Sequence, residues 1–196
     1  MSETEAAEYL SKRNNYMRTA SYRKNYAKHE TGAQVGKYIN LDFAYLAELS
    51  NIDFYLREHR LKMCIDIEHA LKVALLAEIE QNPQEDGYKI VCDFLEKYPQ
   101  VKRSIEQKAD AIFTGDLINK YFNLCYVVDS RTNACSVKII NVDCPVWVLA
   151  EIISFGDLIK LCEFYSTNYR QFFAVALDRN IINPVKSLRN ACAHNN

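Results

Sequence analysis

Apolar and polar positions alternate with a helical period along most of the chain. Residues 3–30 are polar and helix-permissive until Thr31-Gly32 breaks the pattern. After Asn40, which suits a helix cap with Asp42 in the first turn, Phe43, Leu46, Ala47 and Leu49 follow helical spacing as far as Ser50-Asn51, where a break is predicted. A longer helix then begins: Ile52, Leu56, Met63, Ile67, Leu71, Leu75 and Ile79 mark an apolar stripe of roughly eight turns that stops at Asn82-Pro83. Another helix is predicted from Asp86-Gly87 to Tyr98-Pro99, and a shorter one from Val101 to Phe113. Between Tyr126 and Ile140, β-branched runs flank the polar cluster Asp129 to Asn133, which predicts a small hairpin. Pro145 suits the first turn of a helix carrying Trp147, Val148, Glu151 and Ile152, with Trp147 on its apolar stripe and so in the core. Ser154-Phe155-Gly156 bends into a helix over Leu158 to Tyr165, and Asn183-Pro184 reads as cap and first residue of a last helix through Val185, Leu188 and Cys192.

The expected fold is all-α: a helical bundle with a basic helical arm at residues 1–35, a helical domain at residues 36–196 and a small β-hairpin insertion within it. A chain of 196 residues with 49% hydrophobic residues, five Gly and four Pro is long enough for a sizeable core and has no long linkers. Its net charge of −1 hides an asymmetry, since Lys12, Arg13, Arg18, Arg23, Lys24 and Lys28 fall in a stretch without one acid. Tyr9, Tyr16, Tyr22 and Tyr26 interleave with these bases, an arrangement in which cations meet RNA phosphates and rings stack on unpaired bases. The same tyrosines fall at nearly helical spacing and equally suit burial against the bundle.

The seven cysteines form no C-x-x-C pair and no ligand cluster with His, so no metal or cofactor is expected, and the thiols read as small buried hydrophobes of a reducing cytoplasm. Cys192, beside the candidate site, is the one expected to be exposed. His59 and His69 share no ligand spacing with Cys64 and read as structural. The acidic start Met1-Ser2-Glu3-Thr4-Glu5 and the lack of an apolar run of roughly 18 residues predict a soluble cytoplasmic protein without membrane association.

The chemistry concentrates at the end of the chain. Asn190 and His194, four residues apart, project from one face of the last helix, and Arg189 lies about 140° around from His194, a gap that a long arginine side chain can span. Cleavage of RNA by its own 2′-hydroxyl needs a proton-transferring group that ionises near neutrality, which His supplies, and a cation for the charge that builds on the phosphorus oxygens, which Arg supplies. Asn190 suits orienting the imidazole or hydrogen-bonding the phosphate.

Leu188-Arg189-Asn190-Ala191-Cys192-Ala193-His194 resembles the R-N-x-x-x-H motif of HEPN nucleases, and its Arg-Asn-x-Cys-Ala-His form resembles the Abi-like abortive-infection family of bacteria. Two upstream stretches match that family: Ile52-Asp53-x-x-Leu56-Arg57 leading to Ile67-Glu68-x-x-Leu71-Lys72, and Pro145-x-Trp147-x-x-x-Glu151-x-x-Ser154-Phe155-Gly156-x-Leu158. The resemblance covers about residues 40–194. It implies a HEPN-like bundle, a metal-independent endoribonuclease of phage defence with toxin-like action, and catalytic roles for Arg189, Asn190 and His194. One motif per chain implies a homodimer whose two motifs face one cleft, and a partner chain is expected to help hold His194, which lies two residues from Asn196.

Within the matched blocks, Arg57 is a candidate RNA contact alongside the bases of the arm. Arg57, Glu68 and Glu151 read more readily as structural ion pairs of the bundle. Two rival functions remain: a defence protein that binds a structured non-coding RNA without cutting it, and a HEPN module that contacts only proteins. Nothing in the residues identifies the RNA target, the trigger or an antitoxin.

Overall fold

The computed structural model describes residues 1–128, 135–169 and 178–194, and only the backbone of His194. The polar cluster expected to turn the hairpin, Asp129 to Asn133, lies outside the described residues. The described chain is mostly helical and forms two compact units, Met1–Lys62 and Met63–His194, with one long helix contributing residues to both. No helix among the described residues is long and apolar enough to cross a membrane.

In the first unit, α1 (Glu3–Lys12) opens with a capping box, Ser2 Oγ accepting from the Glu5 amide while the Glu5 carboxylate accepts from the Ser2 amide. Asn15 caps α2 (Tyr16–Ser21) by accepting from the amides of Met17 and Arg18, and a 3-10 turn follows at Tyr22–Asn25. The chain then doubles back, with Lys28 bridged to Tyr38; Gly32 and Gly36 take φ near +83° and +84°, the left-handed region that glycine enters freely.

The predicted break at Ser50-Asn51 is not there: α3 runs unbroken over Phe43–Glu80. Ser50 is 1% exposed, and its hydroxyl accepts a 2.7 Å hydrogen bond from Asn14 Nδ2, so a residue that favours helix ends is held by a tertiary partner in mid-helix. The apolar stripe of that helix is also only partly used. Leu71, Leu75 and Ile79 enter the core of the second unit, whereas Ile52, Leu56, Met63 and Ile67 remain exposed.

In the second unit, Asp86 caps α4 (Gly87–Lys97), and α5 (Pro99–Glu106) follows directly, with Pro99 in its first turn. The helix expected as far as Phe113 stops at Glu106; a run of turns follows, and Ile112 and Phe113 stand 90% and 92% exposed, without the burial that would extend it. The fold adds α6 (Gly115–Tyr121), which the apolar pattern did not announce. A Cβ on Gly115 would come within 2.7 Å of the Ala109 carbonyl oxygen, so the tight approach of α6 to these turns requires glycine. Asn119 Nδ2 locks it by donating to the carbonyls of Ala109 and Gly115.

The hairpin is present as β1 (Phe122–Val128) and β2 (Cys135–Val142), antiparallel, with Phe122 opposite Val142 and an irregularity between Asn123 and Leu124. Glu106 clamps it: its carboxylate, 8% exposed, accepts from the amide of buried Ile139 at 3.0 Å and from Lys138 Nζ at 3.2 Å.

Three further helices complete the unit. They are α7 (Val146–Ile152), α8 (Phe155–Asn168) and α9 (Arg179–His194). Trp147 is not in the core as expected but 53% exposed, edge-on to Tyr88. Val146, Val148, Leu149, Ala150 and Ile152 take up the buried sides of this seven-residue helix, which leaves 147 and 151, one turn apart, on its outer face. The last helix starts earlier than Asn183-Pro184. Asp178 begins it by accepting from the Asn180 amide through its side chain and from Ile181 and Ile182 through its carbonyl, and Pro184 sits inside.

The cysteines also divide. Cys64, Cys144 and Cys162 are buried as expected, whereas Cys92, Cys125 and Cys135 are exposed; Cys125 and Cys135 belong to the two strands of the hairpin. Burial pushes the thiols of Cys144 and Cys162 up to about 12.

Two outcomes follow from this packing. Glu106→Ala orphans the buried Ile139 amide and is expected to cost about 1–3 kcal/mol in urea unfolding, with Glu106→Gln, which keeps an acceptor, costing less. A thiol-specific disulfide reagent near neutral pH is expected to modify Cys125 and Cys135 in the folded protein while Cys144 and Cys162 react only on unfolding; equal rates for all four would contradict it.

Candidate functional site

Helix α9 is positioned by its inner stripe and its two ends. Ile182 is buried in the core, Val185 packs against it, and Arg189 and Cys192 continue the same i, i+3, i+7, i+10 face. At the start, Arg179 holds Glu163 of α8 with two nitrogens, at 3.1 and 3.4 Å. Further along, the Val185 carbonyl accepts a weak hydrogen bond from the buried Cys64 thiol of α3 at 3.9 Å. The Cys64 thiol is pushed up first by burial and then by Cys192, with Arg189 pulling the other way, so these three groups are neighbours.

One turn beyond Cys64, Glu68 faces Arg189, its Oε2 3.9 Å from the guanidinium Nε. Arg189 is 33% exposed and Glu68 17%, yet that Nε is closed off from water and makes no hydrogen bond. Asn190, next in sequence, is exposed on the flank of α9, and His194 closes the helix one turn later. Of the three motif residues the structure thus places Arg189 against α3 and Asn190 in solvent, with the His194 backbone at the helix end.

The upstream blocks converge on the same helices. Lys72, one turn past Glu68, donates to Glu151 Oε2 of α7 at 3.1 Å, so the two upstream stretches meet through an ion pair. Ser154 caps α8, accepting from the Asp157 amide and donating to the Asp157 carboxylate; Phe155 and Leu158 are core residues. Gly156 lies under Lys186 of α9, whose Cδ would be 3.3 Å from an added Cβ. Ser154-Phe155-Gly156-x-Leu158 is therefore a cap, a core anchor and a close approach that together seat α9. No spacing rule pairs Glu68 with Arg189 or Lys72 with Glu151, since 121 and 79 residues separate the partners; the one sequence sign was that all four lie in the matched blocks.

The basic residues of the first unit form their own arrangement. Arg57 Nε donates to Asp53 Oδ2 at 2.6 Å on the same helix, and the Tyr22 hydroxyl donates to the same oxygen at 2.7 Å; burial and then this bond push the phenol's ionisation up, with the Arg18 guanidinium pulling the other way. Lys12 pairs with Glu8, Arg23 reaches the Tyr16 hydroxyl, and Lys28 lies over the Tyr38 ring at 4.8 Å. Arg13 and Lys24 are exposed, and Arg18 lies over the Phe54 ring. Among the described residues no group of three or more His, Cys, Asp or Glu is placed to hold a metal.

The family model described as Abi-like protein matches residues 8–196. That is nearly the whole chain, including the six bases near its start, and the chain belongs to this family. Comparison with curated proteins and with solved structures gives no match.

The exposure of Glu151, 61%, sets the worth of its bond to Lys72. Glu151→Ala is expected to change the unfolding free energy by less than about 1 kcal/mol, against about 2–5 kcal/mol for Leu75→Ala in the core, as read from urea unfolding followed by circular dichroism.

Proposed function

We propose that this member of the Abi-like family is a metal-independent endoribonuclease of bacterial abortive-infection defence, acting as a homodimer of HEPN-like bundles. Its 2′-hydroxyl chemistry needs one group to take the proton from the attacking oxygen, one to return a proton to the departing 5′-oxygen, and a cation for the charged phosphorus oxygens between them. His194 is assigned the proton transfers, with the partner chain's copy of the motif supplying the second histidine. Arg189 is assigned the phosphorus oxygens, and Asn190 the orientation of phosphate or imidazole. The new bond joins the 2′-oxygen to phosphorus and the bond to the 5′-oxygen breaks, leaving a 2′,3′-cyclic phosphate and a 5′-hydroxyl.

The observation that carries this reading is the meeting of the family's blocks around Arg189. Glu68 holds the guanidinium from one side at 3.9 Å, and its Nε still lacks an acceptor. An arginine that served only the fold would be expected to close its hydrogen bonds on protein or water. The dimer reading is supported by Met63 and Ile67 of α3, one turn apart on one face and 53% and 37% exposed, since neighbouring apolar side chains left open mark interaction surfaces.

The experiment incubates the full chain with a panel of labelled single-stranded RNAs, with and without a chelator. Cleavage that persists in chelator and leaves 2′,3′-cyclic phosphate ends is expected. Arg189→Ala and His194→Ala are each expected to lower the rate by about a hundredfold or more and to relieve growth arrest on expression in bacteria. Uncut RNA across the panel, with His194→Ala as toxic as the wild type, overturns the reading in favour of an RNA- or protein-binding role.

A further inference from the structure

We infer that the first unit carries a nucleic-acid site of its own, a pocket that takes one phosphate of an unpaired strand on Arg13 and Arg18 and stacks the attached base on Phe54. The pocket is about 270 Å³ and is lined by Arg13, Asn14, Arg18, Ser50, Asn51 and Phe54. Two of these are cations and none is a carboxylate. The Nε and Nη2 atoms of Arg18 are both closed off from bulk water and have no hydrogen-bond partner. An arginine carries five N–H donors in a fixed fork that matches a phosphate bidentately, and Nε and Nη2, both unfilled, form one edge of that fork, which meets an anion when the side chain turns into the pocket.

The neighbouring carboxylate, Asp53, spends its Oδ2 on Arg57 at 2.6 Å and on the Tyr22 hydroxyl at 2.7 Å, a hydroxyl that also interacts with the Arg18 guanidinium. The pocket floor is likewise closed on itself: Asn14 Nδ2 donates to Ser50 Oγ at 2.7 Å and to the Tyr9 hydroxyl at 3.0 Å, and that hydroxyl donates to Asn51 Oδ1. A satisfied floor fixes the shape and leaves the guanidinium donors as its unspent bonding capacity.

Phe54 gives the pocket its second half. The Arg18 guanidinium lies 5.8 Å from the ring centroid, and Phe54 is 51% exposed, so a base can reach ring surface next to the cation. Adjacent cation and open ring are the pair that single-stranded nucleic acid uses, phosphate on one and base on the other. The volume falls just below the roughly 300 Å³ at which small-molecule pockets begin, and it suits one nucleotide unit of a passing strand. This site rests on the nucleic-acid part of the proposed function and is independent of the chemistry assigned to Arg189 and His194.

The test follows fluorescence anisotropy of a labelled oligouridine of about fifteen nucleotides with the full chain carrying His194→Ala, between about 50 and 200 mM salt. Arg18→Gln is expected to weaken binding about tenfold and to flatten the slope of log affinity against log salt by about 0.7, the share of one single-strand phosphate. Phe54→Leu is expected to weaken binding about tenfold with the slope unchanged. Arg13→Gln, on an exposed side chain, is expected to flatten the slope like Arg18→Gln and carries the test if the latter does not fold.

Unchanged slopes in both arginine variants overturn the pocket, as does unchanged affinity in Phe54→Leu. Displacement of the oligouridine by adenosine monophosphate at micromolar concentration assigns the pocket to a free nucleotide and overturns the strand. Failure here alongside His194-dependent cleavage removes the pocket and leaves the nuclease. The expected slopes in a chain that cuts no RNA keep the pocket and remove the nuclease.

Discussion

A guanidinium that leaves water needs acceptors for its donors, and Arg189 finds only part of what it needs. Its position on the inner stripe of α9, in line with Ile182 and Val185, carries it onto α3 rather than into solvent, and there the facing group is Glu68 at 3.9 Å. At that distance the pair has electrostatic attraction but no hydrogen bond. The rest of the second unit can be understood as what brings these two helices together. Gly156 lets Lys186 lie close, Ser154 and Asp157 start α8, the Arg179–Glu163 fork fixes the beginning of α9, and Cys64 meets the Val185 carbonyl one turn before Glu68. A cation that is held in place, one-third exposed and unfilled at Nε is suited to meet an anion, because folding has already fixed its position.

Much of this was legible in the chain. The helical period, the helix start at Asp86-Gly87, the bend at Ser154-Phe155-Gly156 and the hairpin near Tyr126 to Ile140 are local signals, and each corresponds to an element found there. The failures share a different cause. Ser50 suits a helix end because serine competes for backbone hydrogen bonds, but its hydroxyl is engaged by Asn14, 36 residues away. Asn183-Pro184 was read as a start because proline suits a first turn, yet Asp178 had already satisfied the amides that a start must satisfy. Helix α6 depends on Gly115 meeting the Ala109 carbonyl, a contact with no periodic signature.

The same distinction separates the residues of the site. Arg189, Asn190 and His194 stand out as candidates because they lie within six residues of one helix. Their neighbours Glu68, Lys72 and Glu151 were visible only as members of the matched blocks, and what each pairs with is a property of the fold. Trp147 marks the limit of reading burial from composition. In a helix as short as α7 the apolar positions outnumber the buried ones, and the pattern cannot say which of several large side chains is left outside.

Charge in the first unit is settled by who reaches Asp53. This aspartate lies one turn before Arg57 on α3, and it also receives the hydroxyl of Tyr22. An ion pair between Asp53 and Arg18 would leave the pocket around Phe54 neutral and the bases near the start of the chain ordinary surface charge. Oδ2 of Asp53 is occupied twice, and Nε and Nη2 of Arg18 have no hydrogen-bond partner among the described residues. A net charge of −1 over the chain says nothing about this, since 24 bases and 25 acids nearly cancel in number. What decides the affinity of a surface for a phosphate is the charge left uncompensated within a Debye length of it, and this pocket is lined by two cations and no carboxylate.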